Sequence, residues 1–202
     1  MKESIAKLGG WRTDALRIKS SYRRLVTARL PVNLYSARAQ VQRRAATLLH
    51  GIDEGSSSWE ELDCLHLADD ERGDRTSLLL GGASGGVALT NLAHKGLFAA
   101  AGTGTLFLTN VEKLSHSAQR VLCRIIETGY YTPVGDPFPR PIRCRIIVGT
   151  NRPLAELAFR LVVGRALSAI LGHISLRAEE VLNVLDEKGL YKIHPSSLAA
   201  AS

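Results

Sequence analysis

The stretch GTLFLTNVEKL, residues 104–114, leaves a glycine turn and enters a run of apolar and β-favouring residues, Thr105 to Leu108, that reads as a buried strand. A strand of this kind that served nucleotide hydrolysis would end in carboxylates. One would hold magnesium and another would orient or deprotonate water. This one ends in Thr109 and Asn110, which carry no charge. An amide can order a water molecule, but it cannot accept its proton at neutral pH or balance a divalent ion. Glu112 comes two residues later and is expected to open the next turn and face solvent.

Two further stretches read as buried strands with polar ends. VNLY (32–35) leads into Ser36, and CRIIVGTN (144–151) closes on Thr150 and Asn151. Helical periodicity lies between them. AQVQRRAATLLHG follows the first strand, with Gly51 in a capping position, and Ser115 and Gly129 bracket a helix over 115–128. Further helices are expected over 152–169 and from Leu176 to Lys188, and WEELDCLHL is ambiguous between helix and strand. The segment YYTPVGDPFPRPIRC reads as a turn-rich hairpin, and 69–95 as a long loop. Strands alternating with helices imply an α/β fold with a parallel sheet flanked by helices. The strand ends at Tyr35–Ser36, Thr109–Asn110 and Thr150–Asn151 should then line one crevice.

Composition excludes some classes. At 202 residues and 45% hydrophobic, the chain suits one globular domain with at most a small appendage. Aromatics are only 5%, so aliphatic side chains must fill most of the core. No apolar run is long enough to span a bilayer, and no membrane role is expected. MKESIAKLGG has no long apolar core behind its lysine, and Cys64, Cys123 and Cys144 form no CxxC, so reduced thiols and a cytoplasmic location are expected. The net charge of +7 and a basic helix bearing Arg12, Arg17, Lys19, Arg23 and Arg24 permit DNA contact, although no recognition motif supports it.

The run KGLFAAAGTGTLFLTNVEKLSHSAQRVLCRIIETGYYTPVGDPFPRPIRCRIIVGTNRPL, residues 95–154, closely resembles the AAA+ ATPase domain of bacterial enhancer-binding proteins, the activators of sigma-54 RNA polymerase. That family places a Walker B strand GTLFLDE before a helix of the LQxxLLRxLxE type, then a hairpin containing VG, then VRIIAATNRDL. More weakly, LPVNLYSARAQVQRRAATLLH (30–50) is similar to the family's xPVLIxGExGTGKExxARxIH. The resemblance implies a P-loop-type AAA+ core. The family's lid helices have no counterpart after about 176, so the lid subdomain is expected to be absent or truncated. The expected division is 1–175 for the core and 176–202 for a short C-terminal helix and tail.

On the family's register the chemistry is altered. Ser36, Ala39 and Val41 stand where phosphate-loop glycines belong, and Gln42 stands at the lysine. Each added Cβ enters space that backbone or phosphate needs, and Gln42 brings no charge. Arg38 and Arg43 are near, but a flexible guanidinium elsewhere does not rebuild the nest of N–H groups. Thr109 and Asn110 replace the two acids. The position of the family's GAFTGA loop is about GGVALTN, 85–91, without its Phe. Asn151 matches the residue that senses the γ-phosphate, with helix capping as its plainer role. Arg160, in FRLVVGRAL, matches an arginine that reaches a neighbouring subunit's nucleotide, with an ordinary surface arginine as its plainer role.

The expectation is therefore a pseudo-ATPase with no catalytic residue and no metal ligand. The vestigial nucleotide site would comprise Ser36, Arg38, Gln42, Arg43, Thr109, Asn110 and Asn151, with Arg160 as a trans-acting arginine. No cofactor is expected, ATP with magnesium being the alternative. The expected partner is another protein, either a homologous AAA+ subunit or a second copy, in regulation of transcription. The alternatives are a divergent ATP-binding or ATPase domain of such an activator and a basic nucleic-acid-binding protein.

Overall fold

A computed structural model describes residues 30–52, 58–67, 77–82 and 95–186. The basic helix expected before residue 30, the loop position at 85–91 and the tail after 186 lie outside the described residues.

In chain order the elements are β1 (Val32–Tyr35), α1 (Ala39–Ile52), β2 (Trp59–Asp63), a 3-10 turn (Cys64–Leu67), α2 (Ser77–Leu80), α3 (Leu97–Ala101) and β3 (Thr105–Thr109). A second 3-10 turn (Val111–Lys113) leads to α4 (His116–Thr128), the hairpin of β4 (Tyr130–Tyr131) and β5 (Arg140–Pro141), and β6 (Arg145–Thr150). The remainder comprises α5 (Leu154–Phe159), α6 (Arg165–Gly172), β7 (Ser175–Arg177) and α7 (Ala178–Asp186). Five strands form one parallel sheet in the order β2-β3-β6-β1-β7.

Alternation along the strands splits the core into two layers. Leu106, Leu108, Ile146 and Val148 face the layer containing Leu122 of α4, Leu154 and Leu157 of α5, and Leu167 of α6. Val32, Leu34, Phe107 and Ile147 face the other layer, with Ala45 and Leu49 of α1 and Ala178 and Val181 of α7. One polar residue sits in the middle of this arrangement. Asn33 is fully buried; its Nδ2 donates to Ser175 Oγ at 2.9 Å, and its Oδ1 accepts from Thr150 Oγ1 at 3.1 Å. A single amide thus links β7, β1 and β6.

Several expectations are revised. WEELDCLHL is a strand followed by a 3-10 turn. Gly51 lies inside α1, which continues to Ile52, and does not cap it. The single helix expected over 152–169 is two, broken where Leu161 adopts a left-handed φ of 58°. Gln119 of α4 pins that break. Its Nε2 donates to the Leu114 and Val162 carbonyls at 2.9 and 3.0 Å, and its Oε1 accepts from Gly164 N at 2.7 Å. The helix expected from Leu176 begins instead as β7, which pairs with β1, and becomes helical at Ala178. The boundary expected between 175 and 176 therefore falls inside a strand of the sheet. Ser115 and Gly129 do cap α4: Ser115 Oγ accepts from Ala118 N, and Gly129 takes φ 72°.

Candidate functional site

Because β1 and β3 both flank β6, the carboxyl ends of the three strands adjoin and bring Ser36, Thr109, Asn110, Thr150 and Asn151 to one rim of the sheet. In open parallel sheets that rim is where ligands bind. Here the Ser36 hydroxyl and the Asn110 amide are engaged by carboxylates of the chain itself.

The loop after β1 winds early into helix. α1 starts at Ala39, and the N–H groups of Val41 and Gln42 donate to the Arg38 carbonyl at 3.1 and 3.3 Å. A phosphate cradle needs such N–H groups turned outward. Ser36 is buried; its Oγ accepts from Arg38 N at 3.1 Å and donates to Glu179 Oε1 of α7 at 2.7 Å.

Gln42 is 4% exposed and folds back over the strand ends. Its Nε2 donates to the Ser36 carbonyl at 2.7 Å and to the Thr150 carbonyl at 2.8 Å, spending both amide protons on tying β1 to β6. The side chain crosses Gly149, where an added Cβ would collide with Gln42 Oε1. Glycine in the middle of β6 thus leaves room for the residue that replaces the expected lysine.

Acids lie beside both arginines. Arg43 Nε lies 2.8 Å from Glu61 Oε2 of β2, and Arg38 Nη2 lies 3.9 Å from Glu179 Oε1. Arg177 Nε approaches the other oxygen of Glu179 at 3.6 Å. Burial pushes the Glu179 carboxyl up. The Ser36 hydroxyl, a backbone N–H, Arg177 and Arg38 together outweigh that and hold it below its ordinary value.

At the end of β3, Thr109 is buried and Asn110 takes a left-handed backbone, φ 53° and ψ 40°, which asparagine tolerates better than most residues. Asn110 Nδ2 donates to Asp63 Oδ1, at the end of β2, at 2.8 Å. The left-handed turn changes the phase of residues 111–113, and this corrects the expectation for Glu112. That side chain is 5% exposed and turned inward, with its Oε1 accepting from Asn151 N at 3.4 Å. Its Oε2 is buried with no hydrogen-bond partner among the described residues. Burial raises the Glu112 carboxyl pKa, opposed by the N–H groups of Glu112 and Asn151 and by Lys113, and assisted by Asp63. Burial, Asp63 and Glu112 likewise push the Cys64 thiol up.

Two candidates remain, Asn151 on the rim and Arg160 away from it. Asn151 does not cap α5: Pro153 occupies that position, with no side-chain capping bond. Arg160 ends α5 on the surface, its Nη2 2.9 Å from Glu156 Oε1, between Phe159 and Leu161, which are 89% and 71% exposed. Among the described residues, no three or more His, Cys, Asp or Glu side chains gather as a metal site. Sequence reasoning missed Asp63, Glu179 and the inward turn of Glu112. Only the asparagine after a strand hinted at the last, since that residue type favours a left-handed exit.

The model of the sigma-54 interaction domain matches residues 43–167. The chain belongs to the sigma-54 interaction domain family. Its parallel sheet flanked by helices is the AAA+ P-loop NTPase fold, as in NtrX of Brucella abortus crystallised with ADP. That structure matches with a TM-score of 0.60 at 16% identity, over 80% of this chain and 34% of that one. Among sequence relatives, the acetoin dehydrogenase operon transcriptional activator AcoR of Bacillus subtilis is 40% identical over 65 residues, 32% of this chain and 11% of that protein. The nitrogen fixation protein AnfA of Azotobacter vinelandii is 41% identical over 64 residues, 32% of this chain and 12% of AnfA. The nitric oxide reductase transcription regulator NorR1 of Cupriavidus necator is 39% identical over 80 residues, 40% of this chain and 16% of NorR1. The chain thus spans only 11% to 16% of these curated relatives. No helix among the described residues is long and apolar enough to cross a membrane.

Proposed function

We propose that this member of the sigma-54 interaction domain family is a non-hydrolysing regulator of transcription. It would act in the cytoplasm through contacts with other proteins, either an active homologous AAA+ subunit or a second copy of itself. The observation that carries this reading is Gln42. Where the family's lysine would meet phosphate, both amide protons are committed to the Ser36 and Thr150 carbonyls. The residues present do not fit a magnesium nucleotide. The helix has absorbed two N–H groups, a carboxylate stands at Ser36, and Thr109 and Asn110 offer no charge to a metal. Arg160, exposed at the end of α5, is the group proposed to reach a neighbouring subunit.

Titration calorimetry with ATP and with ADP, each with magnesium and taken to millimolar ligand, tests the proposal. Silence is the expected result, and micromolar binding would overturn it. A second reading, a divergent ATP-binding activator domain, is favoured by one observation: Glu112 keeps a carboxylate buried at the rim after all. Magnesium-dependent binding lost in Glu112→Gln would establish it. DNA contact by the basic segment before residue 30 predicts affinity that falls steeply with salt.

A further inference from the structure

The first turn of α1 contains no acidic residue, although a helix N-terminus is stabilised by negative charge. The charge comes from elsewhere in the chain. Glu179, the second residue of α7, places Oε1 2.7 Å from Ser36 Oγ, with Arg38 on one side and Arg177 on the other. Behind it, Ala178 and Val181 are fully buried in the layer that contains Ala45, Ala46, Leu48 and Leu49 of α1. α7 therefore grips α1 by an apolar face and the loop at 36–38 by a carboxylate. It hangs from β7, a three-residue strand that, among the described residues, lies at the edge of the sheet and pairs only with β1.

We propose that β7 and α7 form a built-in strap that holds the crevice shut, with Glu179 as its latch on Ser36 and Arg38. The proposal rests on the reading that this crevice holds no nucleotide, and it names what occupies the loop instead. Tethering favours the latch over any free ligand. A group a few residues from its anchor acts at a local concentration in the millimolar range, so a free competitor must exceed that. Lifting the strap uncovers the Ala45–Leu49 face of α1 together with Ser36, and it frees Arg38, already on the surface, from the carboxylate. An edge strand carrying one short helix is the kind of unit that opens without global unfolding. A protein partner that opens the crevice would act on this element, and the rest of the sheet would not need to move.

Hydrogen exchange on the full chain tests the strap. In Glu179→Gln, amides in 36–42 and 178–186 are expected to exchange about tenfold faster, while β3 and β6 keep their protection. Ser36→Ala should reproduce this, and the double variant should add little to either single one, because both cut the same contact. Unchanged protection of both stretches in either variant would overturn the proposal, as would an equal rise in β3 and β6. If Glu179→Gln does not yield folded protein, Ser36→Ala alone decides. Calorimetry with magnesium and ATP on the wild type, run alongside, separates the two readings. Nucleotide binding that releases 178–186 would remove the non-nucleotide reading and leave the strap standing. Silence to nucleotide with unchanged exchange in both variants would do the reverse.

Discussion

The middle of the sheet is held by apolar packing and its carboxyl rim by hydrogen bonds of polar side chains, so the two regions should fail differently. In the middle, Leu106, Phe107, Leu108, Ile147 and Val148 have no exposed surface and interlock with helices on both faces. At the rim, Gln42 spans two strand ends, Asn110 donates to Asp63, Glu112 accepts from Asn151 N, and Ser36 donates to Glu179. A packed interior restricts residue choice by volume at every position. A polar rim asks only that each donor and acceptor find a partner, and several sets of residues can satisfy it. The scaffold can therefore persist while the chemistry at its edge is replaced.

The largest effect should come from the interior. Phe107→Ala removes a ring packed 5.7 Å from that of Trp59 and should cost about 3–5 kcal/mol in urea unfolding. A loss below about 1 kcal/mol would mean that the interior tolerates gaps as easily as the rim tolerates exchange.

Next comes the position where the two regions meet. Gly149→Ala drives a Cβ into the Gln42 amide and should cost about 1–3 kcal/mol. In a Gln42→Ala background the same change should cost much less, giving a coupling energy of at least about 0.5 kcal/mol in a double-mutant cycle. Additive losses would show that the side chain of Gln42 does not lie across β6.

The smallest and most diagnostic change is Glu112→Gln, read as the pH dependence of Tm. The Glu112 carboxyl is raised above its ordinary 4.5. Proton uptake therefore favours the folded state, and that stabilisation is complete below about 4.5. It is lost as pH rises through the raised folded value. The wild type should lose Tm across that window, whereas Glu112→Gln should lack that component of the slope and be the more stable of the two at neutral pH. Identical profiles would return Glu112 to the solvent-facing role expected from sequence.

Much of the fold was legible because the strands are short apolar runs between clear punctuation. Ser115 and Gly129 delimit α4, and the unbroken apolar runs within 105–109 and 145–150 make both strands plain. The helix break at Leu161 was not legible, since a left-handed leucine is set by tertiary contacts, here those of Gln119. β7 was missed because three residues leave no period to read. At the rim, the residue types at 42, 109 and 110 pointed to lost charge, and that at 36 to a lost glycine. Their partners, Glu179 and Asp63, are distant in sequence and were invisible without the topology.

The buried amide of Asn33 has a bearing on fidelity of assembly. β7 offers only three residues to its neighbour, too few for apolar alternation alone to fix where they pair. Asn33 Nδ2 finds an acceptor in Ser175, whereas a slip of one residue would set Ile174 or Leu176 opposite and strand the amide in the dry interior. One side chain thus rejects the misregistered sheets, and because α7 comes directly after β7, the same choice decides where Glu179 comes to rest.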